Sequence, residues 1–370
     1  MSSDVRIDGA TTQAVDEAIH LVVLAFARTA KPLVDWHPVI EAISPTIRVA
    51  LNETQNSYET HLPSRQYLRR YLDHDEATHT ARIAQLDIPV VRKGLAENGT
   101  SDELATLAGC TALSHMGPLK AFEQEFDVQL VIQPSRLLQI HRQAGLAVFD
   151  MDSTLIQQEV IDELARAVGL YDQVAAITEA AMRGEAPYTD FEASLRARVA
   201  LLKGVPTSIW EQLKKDVITF TPGAKELIKC LRKLGWKTAV LSGGFTPLAL
   251  WVKETLGLDY AFANHLVSDA EVNTLSGELV AEMPIIHASK KRELLLQLAE
   301  ENNIPLERTI AVGDGSNDLL MMGAAGLGIA FNAKPKVQLA APARLNGDSL
   351  LDVMYILGFA KSEVDDLLAR

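Results

Sequence analysis

At 370 residues the chain is too long for one ordinary core and should divide into two or three units of roughly 100 to 200 residues each. A formal net charge of -13 excludes a general nucleic-acid or anionic-membrane surface, so any small anionic substrate needs local cations. Cys110 and Cys230 lie too far apart in sequence for a metal or disulfide framework, no basic-apolar-small leader follows Met1, and no apolar run approaches the ~18 residues of a membrane span. These features predict a soluble cytoplasmic protein.

Residues 1–140 carry no chemical motif. Ala18 to Ala27, Thr46 to Leu51, Ile88 to Val91 and Phe126 to Ile132 are short apolar pieces that suit strands or helix faces. Between them lie polar segments of helical composition such as Gln66 to Leu86, so the expectation is an α+β module. The polar run from Gln133 to Gly145 reads as a connector into the remaining 141–370.

The stretch Leu146 to Leu155, LAVFDMDSTL, organises that second part. Its four leading apolar residues do not alternate with polar ones, which suits a strand buried on both faces of a parallel sheet. Asp150 and Asp152 follow at the carboxyl end, where open α/β sheets bind ligands, and two unpaired buried carboxylates are costly unless a cation joins them. From Gln157 to about Phe220 the apolar period becomes helical, with breaks at Gly169, Gly184 to Pro187 and Gly204 to Pro206. About four short helices inserted there would form a lid over the first strand's carboxyl end.

The sheet resumes after Thr221, which the sequence suggests as a helix cap ahead of Pro222, with Gly235 ending that helix. Lys237 to Leu241 is a strand, and Ser242, Gly243 and Gly244 lie at its turn into the next helix, where backbone donors could cradle phosphate. An ordinary glycine turn fits the same three residues. Leu266 to Glu282 reads as a hairpin, and Lys290, Lys291 and Arg292 open a helix. Most of such a cationic run faces solvent; one lysine, Lys290 or Lys291, could instead serve an anion. The strand Thr309 to Val312 then runs into GDGSND, Gly313 to Asp318, repeating the arrangement of a buried strand ending in carboxylates. Twelve-residue calcium loops are excluded, because counting from Asp150 or Asp314 gives Leu155 or Leu319 where glycine is required and Ile161 or Ala325 where an acid is required. No GxxxxGK[ST] loop is present, so a nucleotide-handling enzyme of that class is unsupported.

DMDST, SGG and GDGSND, in this order and with a lysine between the last two, resemble the haloacid dehalogenase (HAD) superfamily of phosphotransferases over roughly residues 145 to 345. DSTLIQQE, FEASLRARVALLKG, SGGF, YAFANHL and AVGDGSND are similar, more narrowly, to its branch that hydrolyses O-phospho-L-serine in serine biosynthesis. The resemblance implies an α/β fold, a HAD-like Rossmannoid parallel sheet with a helical-bundle cap at about 157–220 after the first strand, and leaves residues 1–140 outside it. It also implies that Asp150 attacks phosphorus and becomes an aspartyl-phosphate, while Asp152 protonates the leaving oxygen and then activates water. Magnesium would be held by the Asp150 carboxylate, the Asp152 backbone carbonyl and Asp314, with Asp318 supporting from behind. Ser242, the Gly243 amide and Lys291 would hold phosphoryl oxygens, and Asn317 would position Lys291 or the phosphate.

From the cap, Arg198 would clamp the substrate carboxylate and Glu159 would accept its ammonium, with Met182 and Phe191 closing the apolar side. In isolation Arg198 reads as an ordinary solvated helix residue. The implied partner is a small phosphomonoester, phosphoserine, with no nucleic acid or membrane; a homodimer stays open. Two alternatives stand beside this reading: a superfamily phosphatase or phosphotransferase with another small substrate, and a catalytically silent amino-acid or ion-binding regulator.

Overall fold

The computed structural model describes residues 19–53, 58–60, 68–92, 103–269 and 271–369, and all architecture below concerns these. The chain forms two compact units, Met1–Gln139 with Tyr355–Glu363, and Ile140–Met354 with Val364–Arg370.

In the first unit, β1 (Ile19–Pro32) is followed by α1 (Trp36–Asn52), β2 (Tyr58–Thr60), β3 (Leu68–Tyr71), β4 (His74–Asp75), β5 (Thr80–Arg92), α2 (Leu107–Ser114), α3 (Gly117–Phe126) and β6 (Val128–Pro134). The sheet order is β2-β5-β1-β6, with β3 and β4 also on β5, and β1 pairs antiparallel with both β5 and β6. Residues two apart on a strand share a face, so Leu21, Val23 and Ala25 of β1 join Leu86 and Ile88 of β5 and Leu130 of β6 in one core with Trp36, Ile43 and Ile47 of α1. The opposite face, with Val22, Leu24, Gln85 and Gln133, is buried as well.

The Tyr355–Glu363 segment attaches to this unit: Gln133 Nε2 donates to the Ile356 carbonyl at 2.8 Å, Arg70 Nη2 donates to the Gly358 carbonyl, and Arg70 pairs with Glu363 at 3.2 Å. Two expectations change here. The described part of the stretch Gln66 to Leu86, from Leu68 onward, supplies β3, β4 and much of β5 and no helix, because apolar Ile83 and Leu86 gain more from burial in a sheet centred on β1 than helix propensity offers. The tract 141–370 is also not one body, since nine of its residues, Tyr355–Glu363, belong with the first unit.

The second unit is built on a six-stranded sheet of order β14-β13-β12-β7-β8-β9, every adjacent pair parallel. Its strands are β7 (Leu146–Phe149), β8 (Lys237–Phe245), β9 (Tyr260–Asn264), β12 (Thr309–Gly313), β13 (Leu327–Phe331) and β14 (Ala343–Leu345); β10 (Leu266–Asp269) and β11 (Thr274–Leu279) form a separate hairpin. All four residues of β7 are buried, as its unbroken apolar run requires. From β7 the chain steps outward through β8 to β9, then returns to β12 on the other side of β7. That reversal of winding opens a crevice at the carboxyl ends of β7 and β12.

The cap comprises α4 (Val160–Ala167), α5 (Tyr171–Met182), α6 (Phe191–Ala200) and α7 (Ile209–Asp216). Its two connections run antiparallel, with Ile156 bridged to Phe220, Gln157 N donating to Thr219 O at 3.0 Å and Thr221 N to Leu155 O at 3.0 Å. Thr221 therefore belongs to this hinge and does not cap α8 (Ala224–Lys233), which starts from Gly223 at φ 77°. Two further helices flank the sheet, α9 (Thr246–Leu256) after β8 and α10 (Ala288–Glu301) before β12.

Candidate active site

Three adjacent strands deliver the polar residues. Asp150 ends β7, its amide donating to the Val312 carbonyl of β12 at 2.9 Å, so backbone pairing with β12 continues up to the carboxylate itself. Asp150 Oδ1 accepts from the Met151 amide at 2.7 Å and faces Lys291 Nζ at 2.8 Å. The chain then tightens through Met151–Leu155, where Ser153 takes φ 54° and Ile156 N donates to Met151 O. This narrow turn brings Asp152 back beside Asp150.

Asp152 Oδ1 is sealed from solvent and, among the described residues, has no hydrogen-bond partner. Burial first, then the charges of Glu159 and Asp150, push the Asp152 carboxyl well above the usual carboxylate range; Lys291 opposes them without prevailing. A proton on this group at neutral pH is the state a general acid needs.

Lys291 lies on α10 and is fully buried. Its Nζ sits between Asp150 and Asp318, 2.7 Å from the latter's Oδ1. Burial alone would lower its pKa, but the two carboxylates outweigh burial and hold it above the ordinary lysine value. Lys290 instead pairs with Glu293 on the helix surface at 3.0 Å, which separates the two lysines. Asp318 is also fixed on its other oxygen, which accepts from the Gly315 amide at 3.0 Å. Lys291 is thus positioned by Asp150 and Asp318; the half-buried Asn317 makes no hydrogen bond to it among the described residues, contrary to that part of its expected role.

One oxygen from each of Asp150, Asp314 and Asp318 lies within 4.8 Å of the others. Burial, then the charges of Asp150 and Glu159, raise Asp314 to about 7, and burial with Asp150 pushes Asp318 upward against the pull of Lys291 and the Gly315 amide. Carboxylates crowded to this degree gain from a hard cation, and an all-oxygen donor set suits a divalent ion of that kind. The trio is thus a fit metal site, with Asp318 nearer to it than a purely supporting residue need be.

On the neighbouring strand, Ser242 is fully buried within β8, which runs through Ser242–Gly244 to Phe245 with a register shift against β9 and does not turn after Leu241, and its Oγ accepts from the Gly244 amide at 2.8 Å. Space is short here. A Cβ on Gly244 would lie 3.1 Å from Asp152 Oδ2, and one on Gly243 would lie 3.2 Å from Phe191 Cζ of the cap helix α6. The two glycines therefore let the general-acid candidate and a cap aromatic approach the same stretch of β8 backbone.

The cap residues are held less tightly. Glu159 Oε1 accepts from Ser153 Oγ at 2.8 Å, and Arg198 Nε donates to the Ser194 carbonyl within its own helix at 3.2 Å. Glu159 reaches solvent, yet the protein crowded around it raises its carboxyl despite the opposing Ser153 hydroxyl and Arg198. Burial lowers the Arg198 guanidinium, against the pull of Asp162 and Glu159. The structure therefore brings Asp150, Asp152, Ser242, Gly243, Lys291, Asp314 and Asp318 together, with Glu159 and Phe191 adjoining them. The expected contact residue Met182 falls in α5, but its side chain lies outside the described residues. Sequence reasoning gave no role to Asp162, which acts on Glu159 and Arg198, or to Asn264, although the segment YAFANHL that holds it was among those carrying the resemblance.

The chain is similar to known proteins in sequence and in fold. The haloacid dehalogenase-like hydrolase family matches residues 147–323. A phosphoserine phosphatase from Idiomarina loihiensis is 52% identical over 215 residues, which cover 58% of this chain and 94% of the relative. A probable phosphoserine phosphatase from Schizosaccharomyces pombe is 48% identical over 223 residues, 60% of this chain and 73% of that one. A solved phospho-aspartyl intermediate analogue of phosphoserine phosphatase superposes with a TM-score of 0.52 at 42% identity, covering 58% of this chain and 99% of its own.

Proposed function

We infer the reaction from one premise: the chain belongs to the haloacid dehalogenase-like hydrolases, on the strength of its family match and of two relatives about half identical to it, of which it covers 94% and 73%. It hydrolyses O-phospho-L-serine to L-serine and phosphate. The observation that carries the residue assignments is the convergence of Asp150, Asp152, Ser242, Lys291 and Asp314 at the carboxyl ends of β7, β8 and β12, with Lys291 supplied by α10.

In the proposed mechanism the free Asp150 oxygen attacks phosphorus while Oδ1 stays on the Met151 amide and Lys291. The phosphorus–oxygen bond to serine breaks as the acyl phosphate forms, and protonated Asp152 delivers its proton to the departing serine oxygen. The resulting carboxylate then takes a proton from water, which attacks the acyl phosphate, releases phosphate and restores both aspartates. Ser242 Oγ–H, the Gly243 amide and Lys291 hold the phosphoryl oxygens. Asp150, the Asp152 backbone carbonyl and Asp314 would hold magnesium, with Asp318 beside them; when bound, the ion neutralises charge on the phosphoryl group. Arg198 receives the substrate carboxylate and Glu159 the ammonium, with Phe191 covering the Gly243 backbone. No helix among the described residues is long and apolar enough to cross a membrane.

The test is phosphate release by the purified chain, with magnesium, from phosphoserine and a panel of other small phosphomonoesters. Phosphoserine should give the highest kcat/KM. A preference for an ester lacking the amino acid would transfer the reading to a general small-molecule phosphatase.

A further inference from the structure

Asn264 ends β9, 1% exposed, and lies outside every role assigned above. Its Nδ2 donates to the Gly243 carbonyl at 2.8 Å, and its Oδ1 accepts from the Ile286 amide at 2.9 Å. Only one orientation of the amide satisfies both partners, since the first needs a donor and the second an acceptor. The backbone of Asn264 is fixed too: it registers with Phe245 of β8, and its carbonyl accepts from Thr246 Oγ1 at 3.0 Å.

The peptide between Gly243 and Gly244 is therefore clamped on both sides, its carbonyl by Asn264 and its amide by Ser242 Oγ. The consequence for Ser242 is chemical. A hydroxyl has one proton, and an oxygen already accepting from Gly244 keeps that proton for another acceptor. The other arm of Asn264 fixes Ile286, one residue before His287, whose side chain caps α10 and whose carbonyl accepts from the Lys291 amide at 2.9 Å. One buried amide thus joins the Ser242–Gly243 segment to the start of the helix that carries Lys291.

We propose that Asn264 is a positioning residue that sets the spacing between the Ser242–Gly243 donors and Lys291, and so the shape of the phosphoryl cradle. This rests on the reading that these groups hold the phosphoryl oxygens. Asn264→Asp keeps an acceptor for Ile286 but turns a carboxylate oxygen against the Gly243 carbonyl, while Asn264→Ala removes both arms without adding charge. Each variant should lower kcat about ten- to hundred-fold with KM changed by less than about threefold, because misplaced donors cost most where transition-state charge develops. The loss should be equal for phosphoserine and an aryl phosphate, and in a Ser242→Ala background it should shrink to less than about threefold, since both changes act through one segment.

Normal kcat in the folded variants would overturn the proposal, as would losses that remain fully additive with Ser242→Ala. Failure of both variants to fold would assign Asn264 to the fold alone and overturn it equally. If Ser242→Ala by itself left kcat unchanged, the reading of the cradle would fall, an outcome distinct from normal Asn264 variants beside a damaged Ser242→Ala.

Discussion

The floor of the site and its cap are held by different means. On the floor, Lys291, Asp318 and Ser242 are fully buried and Asp150 nearly so, each with a partner at 2.7 to 2.8 Å. In the cap, Glu159 is open to solvent and Arg198 half-buried, and their hydrogen bonds go to Ser153 and to a carbonyl one helical turn away. A floor with its charges already oriented need not reorganise when charge develops on phosphorus. Cap groups with only local partners can turn toward an incoming carboxylate and ammonium. In the proposed mechanism the phosphoryl chemistry is therefore built in, and recognition of the amino acid is completed by the amino acid itself.

The sharpest way to break this contrast is to remove the cation of the floor. Lys291→Ala leaves Asp150 and Asp318 facing each other without compensation. Hydrolysis of phosphoserine and of an aryl phosphate should both fall by about 10²- to 10³-fold, and stability should drop by about 3–5 kcal/mol, as when a buried pair loses one partner. Steady-state kinetics on both substrates and a thermal melt read the two effects. A loss confined to phosphoserine would move Lys291 from the floor to substrate recognition.

Changes in the cap should be smaller and selective. Arg198→Ala and Glu159→Gln each remove about 1.5 to 3 kcal/mol of charged hydrogen bonding to the amino acid, so kcat/KM for phosphoserine should fall about ten- to hundred-fold. The aryl phosphate should be nearly unaffected. Equal losses on both substrates would show that these residues shape the lid and do not read the amino acid.

A buried group without a partner sharpens the same lesson in pH. His141 is fully buried near Trp236, neither ring nitrogen has a hydrogen-bond partner among the described residues, and burial lowers its pKa to about 4. Above its unfolded pKa of about 6.5 the group is neutral in both states and adds no pH dependence to stability. As pH falls from about 6.5 toward 4 the unfolded chain takes the proton first, so at pH 5 the fold should have lost about 2 kcal/mol through this residue. His141→Leu should narrow the gap in Tm between pH 7 and pH 5. An unchanged gap would mean that His141 finds a partner on protonation.

Much of this was legible because the chemistry follows sheet geometry. The unbroken run Leu146 to Phe149 placed Asp150 and Asp152 at a strand end, and the shift to helical period after Gln157 located the cap. The choice between Lys290 and Lys291 was also latent in the chain: Lys291 shares a helix face with Leu294, Leu295 and Leu298, all buried, whereas Lys290 shares one with Glu293. The first unit was less readable, because β1 pairs with β5 and β6, whose partner residues lie 48 or more positions away, from Pro32 with Thr80 upward, and whose alternation is masked by burial on both faces. The attachment of Tyr355–Glu363 depends on Arg70 meeting two C-terminal groups, and no local pattern announces such a contact. The role of Asn264 stayed hidden for the same reason, although its segment YAFANHL was noticed, since its partners Gly243 and Ile286 lie about 20 residues away on either side.

The central claim is that phosphate passes through a covalent bond to Asp150. Acid quenching during turnover of phosphoserine carrying labelled phosphorus, with magnesium present, tests it most directly. The label should appear on the protein as an acid-stable, hydroxylamine-sensitive acyl phosphate at Asp150, and Asp150→Asn should show neither the label nor measurable turnover. Ample turnover by Asp150→Asn, or a label of equal size in that variant, would contradict the assignment.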